Sequence, residues 1–225
     1  MSIVEIDHLF IFVDAPKEGD TPAEAHLLQS AGFVESYRRN HPGQGTTNIC
    51  YCFDHAYIEL LWVNNTADIT SPLIRETKLF ERSQWKETAT SPFGIALRSE
   101  MPFDTWDYRP PYLPQGMSIP VTTTSLDARQ PFIFTSPGGQ RPDHWREPRP
   151  LQQKAPIGCH TITSISLSVP KSYPSNNDLD TLEEQGVLRQ NRDTTTHKMI
   201  LELADKNGQA THYLDLPSCR VTNAL

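Results

Sequence analysis

The chain has 225 residues, 20 of them basic and 27 acidic, for a net charge of −7 at neutral pH. Its basic residues are scattered, so the positive footprint that a nucleic acid or an anionic membrane requires is missing. No apolar run approaches the ~20 residues of a membrane span, and the four cysteines lack C-x-x-C spacing, which predicts free thiols in a reducing, cytoplasmic setting.

The first segment, IVEIDHLFIFV, alternates so that Ile6, His8, Phe10 and Phe12 share one face and Leu9, Ile11 and Val13 the other. Both faces are largely apolar, as in a central strand covered on both sides, and its acidic flanks are unlike a secretory leader. In TPAEAHLLQSAGF, Thr21 is the expected N-cap, Pro22 the first helical residue, Glu24 the capping-box partner and Gly32 the stop. FVESYRR, a Pro-Gly-Gln-Gly turn, the strand TTNICYCF, a tight Asp54–His55 turn and the strand AYIELLWV follow. Residues 1–63 thus read as one β-α-β-β-β unit.

Residues 64–91 form a helical connection, with a helix expected from a cap at Ser71 and Pro72. Residues 92–137 hold three more strands, FGIALRS, SIPVTT and QPFIFTS, around an irregular crossover, FDTWDYRPPYLP, as in a degenerate unit that has lost its helix. Residues 138–156 are Pro-rich and read as an exposed linker. Residues 157–225 repeat the first order: the strand HTITSISLSVP, the helix NNDLDTLEEQG, the weak strand VLRQNR, and a hairpin turning at Asp205-Lys206-Asn207-Gly208. YLDL of that hairpin overlays YIEL of the first unit, so Asp215 corresponds to Glu59 and Ser164 to His8.

Glu59 is the residue that most needs explaining. A carboxylate in an apolar strand is costly unless a cation or a set of donors compensates it. His8 is either a metal ligand or a core histidine bonded to Glu59. His41, Gln44 and Asn48 cluster around Gly43 and Gly45, where they would line a ligand site or merely shape a tight turn. Arg98 ends an apolar strand, paired with Glu59 or Glu100 or reading an anion. Trp106, Tyr108, Tyr112 and Trp145, all in irregular proline-rich segments, would make an aromatic wall, or pack their own loops. P-loop, dinucleotide, His-Glu-x-x-His and nucleophile-elbow motifs are absent from the sequence.

IDHLFIFV, HPGQGTTN leading into YIELL, and FGIALR together resemble the glyoxalase-like domain family of the vicinal oxygen chelate superfamily. The resemblance implies an α+β fold in which repeated βαβββ units form a curved mixed sheet enclosing a cup. It also implies a divalent metal (Zn, Ni, Mn or Fe) held by His8, Glu59 and Asp215, with Glu59 catalytic. The substrate, a small molecule with vicinal oxygens, would be bound by His41, Gln44, Asn48, Arg98, Trp106, Tyr108 and Tyr112. Lyase, isomerase and ring-cleaving dioxygenase chemistry all suit that arrangement. The residues equally suit a metal-free protein that sequesters an apolar or aromatic compound, and exposed sheet edges would suit a homodimer. Which two units enclose the cup is left open.

Overall fold

The computed structural model describes residues 4–98 and 102–224. β1 (Ile6–Phe12), α1 (Ala23–Ser30), β2 (Tyr37–His41), β3 (Thr46–Cys52) and β4 (Tyr57–Val63) form the first unit. The short helices α2 (Thr66–Ile69), α3 (Leu79–Ser83) and α4 (Trp85–Thr88) lead into β5 (Phe93–Leu97), β6 (Thr105–Tyr108), β7 (Ile119–Thr122) and β8 (Phe132–Thr135). The chain then runs through β9 (Thr161–Pro170), α5 (Asn177–Glu184), β10 (Arg189–Thr194), β11 (Lys198–Ala204), β12 (Ala210–Leu216) and β13 (Arg220–Asn223).

The first and middle units merge into one eight-stranded sheet, ordered β2-β3-β4-β1-β5-β8-β7-β6. At its centre β1 and β5 run antiparallel with Leu9 opposite Ile95, and each carries a parallel partner on its outer side: β4 sets Glu59 beside Phe10, and β8 sets Phe134 beside Ala96. The sheet therefore has a local twofold through the Leu9–Ile95 pair. It relates His8 to Gly94 and Glu59 to Phe134. Gly94 is required there by close approach: a Cβ would stand 2.0 Å from the Phe10 ring. The cup is thus built by the first and middle units.

The C-terminal unit forms a separate sheet, ordered β10-β9-β11-β12-β13. Its element order matches that of the first unit, but its wiring does not. β9 lies between β10 and β11, whereas β1 lies beside β4, so Ser164 faces Glu202, and Asp215 faces Ile200 and Arg220. The sequence overlay of YLDL on YIEL does not carry over into space.

Alternation along each strand divides the core. Leu9 and Ile11 of β1 and Ile58 and Leu60 of β4 point at the C-terminal sheet and meet Leu167, Leu201 and Leu214. Phe10, Phe12 and Leu61 point the other way, with Phe132 and Phe134, towards Ile69, Ile74 and Leu79. The fully buried Arg82 of α3 donates to the carbonyls of Ser125 (2.8 Å), Ala128 (3.2 Å) and Gln130, drawing the loop ahead of β8 onto α3.

Four local expectations change. α1 begins after Pro22 with no side-chain cap, because the Thr21 hydroxyl bonds Asp20 instead (3.1 Å). The helix expected from Ser71 is broken at the left-handed Lys78 (φ 56°) and again at Gln84, and its last piece stops at the left-handed Ala89 (φ 57°), its apolar stripe being too thin to hold one long helix. Trp106 and Tyr108, expected in an irregular crossover, lie on β6. The expected exposed linker, 138–156, is tied down: Gln152 is fully buried, accepting from Val34 N (3.0 Å) and donating to Val34 O (2.7 Å), and the Ser36 hydroxyl bonds Pro150 O (2.5 Å). Among the described residues no helix is long and apolar enough to cross a membrane.

Where the units meet, His197 lies buried against Tyr173, with ring centroids 5.4 Å apart. Burial, helped by the charge of Arg82, holds its imidazole down to about 4. The unfolded chain therefore binds this proton first, and stability is full above pH ~6.5 and falls as the pH drops towards 4. The loss is expected to be roughly 3 kcal/mol, read from urea denaturation across that range, and His197→Leu should flatten that limb of the pH profile.

Candidate functional site

A cavity of about 690 Å³ opens on the face of the eight-stranded sheet turned away from the C-terminal sheet. Its chemistry starts from an irregularity in β1. The pairing of β1 with β5 slips between Ile6 and His8, and such a bulge re-aims the side chains beside it. Asp7 and His8, consecutive on a strand, consequently both line the cavity. Asp7 Oδ1 stands 2.8 Å from His8 Nδ1, its Oδ2 stands 3.4 Å from Arg98 Nε, and His8 Nε2 faces Glu59 Oε2 at 3.5 Å.

Glu59 is buried in the middle of β4, and the compensation its burial demands is local. Asn48, on the adjacent β3, donates to Glu59 Oε1 at 2.7 Å, and its own oxygen accepts from Arg39 N at 2.8 Å. One carboxylate oxygen is thus tied and the other is left beside His8. The His8 ring stacks on Tyr57 (4.4 Å, 14° between planes) and meets the Phe134 ring edge-on at 5.4 Å, so its orientation is set from both sides. Burial works to raise the Asp7 carboxyl, but the hydrogen bonds from His8 and Ser136 and the charges of His8 and Arg98 outweigh it and hold Asp7 below the usual carboxylate range.

The turn after β2 supplies a second polar group. His41 O accepts from Gln44 N and Gly45 N, and the Thr46 hydroxyl lies within hydrogen-bond reach of both His41 Nδ1 (2.9 Å) and Gln44 Nε2 (2.8 Å). Tyr108 OH donates to Gln44 Oε1 at 2.7 Å, fastening β6 of the middle unit to this turn. Burial lowers the His41 imidazole, against the pull of Glu59, so the ring is neutral at pH 7. Tyr112 lies against it (4.9 Å), with its phenol raised by burial and its hydroxyl without a hydrogen-bond partner among the described residues. The other half of the cavity is apolar, with Phe10, Phe132, Phe134, Leu61, Ile119 and Met117.

Of the residues picked out from the sequence, His8, Glu59, His41, Gln44, Asn48, Tyr108, Tyr112 and Trp145 line this cavity. Three do not. Asp215 lies on the other sheet, paired with Lys198 at 2.7 Å. Trp106 packs on Tyr108 (6.1 Å) outside the cavity. Among the described residues Arg98 reaches the site through Asp7, and its other side-chain contacts are Glu5 (3.1 Å) and His55 O (2.6 Å); Glu100 lies outside the described residues. Asp7, Tyr37, Tyr57, Arg39 and Arg149 were missed. The Asp-His dipeptide was the available signal for Asp7, but alternation places neighbours on opposite faces, and the bulge that defeats it is a property of the pairing with β5.

The donor set does not fit a resident chelated ion. His8 Nε2 and Glu59 Oε2 are two donors, the positions that the twofold relates to them are Gly94 and Phe134, and among the described residues no three His, Cys, Asp or Glu side chains converge. A divalent ion takes four to six donors of this kind, roughly.

A family model for the glyoxalase-like domain matches residues 6–182. The chain belongs to that family, within the vicinal oxygen chelate superfamily. Among solved structures it is similar to a hypothetical protein from Staphylococcus aureus, with 13% identity, a TM-score of 0.45, and coverage of 95% of this chain and 85% of that one. No curated protein matches it.

Gly45 makes the turn beneath His41 and Gln44 feasible, since its φ is +79° and a Cβ would stand 2.3 Å from Asn65 O. Gly45→Ala should lower the unfolding free energy by at least ~2 kcal/mol in urea denaturation, because neither the φ nor the contact has room to relax.

Proposed function

We propose that the cavity catalyses proton transfer on a small carbonyl compound, with Glu59 as the base. The observation that carries this reading is the tethering of Glu59: Asn48 holds Oε1, while Oε2 stays open beside a histidine that Asp7 and Tyr57 orient. Glu59 Oε2 takes a proton from the carbon next to the carbonyl, and the bonding pair moves towards the carbonyl oxygen. The Tyr112 hydroxyl, a neutral donor, stabilises the charge that develops there. On a hydroxyketone, His8 passes the hydroxyl proton to the enediolate oxygen and Glu59 returns its proton to the former carbonyl carbon, which completes an isomerisation; where the carbon on the other side of the carbanion bears a leaving group, that group departs with its bonding pair and a carbon–carbon double bond forms, which completes an elimination. Neither path consumes an oxidant, and the apolar half of the cavity keeps water from the intermediate. The second half of the sheet offers Gly94 and Phe134 where further metal ligands would have to stand, so the proton moves between side chains and substrate.

The aromatic wall of Phe10, Phe132 and Phe134 favours a second reading, sequestration of an apolar compound without turnover. Hydrogen–deuterium exchange separates the two. Chelator-treated protein in D₂O with a panel of small 2-oxo acids and hydroxyketones should exchange the carbon-bound protons next to the carbonyl, followed by NMR. Glu59→Gln should slow this by about 100-fold or more while leaving the fold intact. Binding without exchange would leave sequestration standing, and exchange seen only after adding Zn²⁺, Ni²⁺, Mn²⁺ or Fe²⁺ would restore the chelation mechanism.

A further inference from the structure

We infer that the ligand is an amphipathic carboxylate whose anionic group is held between Arg39 and Arg149 at the cavity mouth, with its apolar body over the phenylalanine wall. This rests on the cavity being a small-molecule site. The chain as a whole is acidic, yet Arg39, Arg146 and Arg149 all line this cavity. Glu147 also lines the cavity, but among the described residues none of the three arginines stands within ion-pair distance of a carboxylate, as Arg38, Arg98, Arg109, Arg129 and Arg141 do.

Arg39 and Arg149 are held by aromatic rings instead. The Arg149 guanidinium lies 4.4 Å from the Tyr37 ring centroid and 5.7 Å from that of Trp145, and Arg39 lies 5.9 Å from Tyr37. A guanidinium resting on a ring keeps its N–H edge free, and that edge is what forks onto a carboxylate. The same rings lead inward: Trp145 meets Tyr57 at 6.0 Å, and Tyr57 stacks on His8. The inner end carries Asp7 and Glu59, which repel an anion. The two ends therefore orient such a ligand, acid group outward at the arginines and reactive carbons inward at Glu59.

The test measures binding of phenylpropanoate, phenylpyruvate and their primary amides by calorimetry and by quenching of tryptophan fluorescence. The acids should bind about tenfold or more tightly than the amides, a gap that closes at high salt. In the double variant Arg39→Gln/Arg149→Gln the gap should vanish while the amides bind as before; Arg39 is exposed and Arg149 half-buried, so the variant folds. Equal binding of acids and amides by the wild type, or a gap that survives in the double variant, overturns the arginine assignment but leaves the cavity as a small-molecule site. Failure of every probe to bind overturns both readings.

Discussion

Everything in this molecule hangs on the antiparallel pairing of β1 with β5. That one seam, with Leu9 opposite Ile95, joins two units of unequal character into a single sheet and generates the twofold that gives the cup its walls. Because side chains alternate, the seam sends Leu9 and Ile95 to the inter-sheet core and His8 and Phe10 to the cavity. It also carries the bulge that brings Asp7 to the cavity side beside His8. A one-residue slip at this pairing would exchange core and site along the whole of β1.

The two halves of the cup have diverged in chemistry while keeping the same geometry. One presents His8 and Glu59; the other presents Gly94 and Phe134 at the related positions. The Phe10 ring occupies the space that Gly94 leaves, which turns that half into a continuous aromatic wall with Phe132 and Phe134. A buried carboxylate needs compensation, and Glu59 receives it from an amide and an imidazole. The lining is accordingly uneven: Asp7, His8 and Glu59 on one side, the phenylalanines on the other, and Arg39 and Arg149 about Tyr37.

Enclosure comes from segments without long regular structure. The broken helices after β4 cover Phe12 and Leu61, and Arg82 pins the loop ahead of β8 through backbone carbonyls. The 138–156 segment crosses from β8 to β9 and brings Trp145 and Arg149 over Tyr37, anchored by Gln152 beneath. These contacts decide the shape of the mouth.

Much of this was legible in the sequence, and the boundary has a physical cause. Alternation in IDHLFIF and YIELLWV and the Asn-Gly turn are local signals, and they located the strands of the first and last units, the buried Glu59 and its neighbour His8. The His41–Asn48 turn was legible for the same reason: its glycines answer to backbone angles set within a few residues. Strand partnering is not local. The alternation of β9 and β12 is compatible with several neighbours; in the fold β9 lies between β10 and β11, and Asp215, on β12, pairs with Lys198 on the sheet that does not carry Glu59. The same holds for the bulge at Asp7, the arginines over Tyr37 and the folded-back proline-rich segment. The sequence by itself determined which residues are strands, which faces are apolar and that a carboxylate would be buried. The tertiary structure alone decided which strands meet, because hydrogen-bond partners and buried surfaces between distant segments are chosen by the whole packed core, not by the segments themselves.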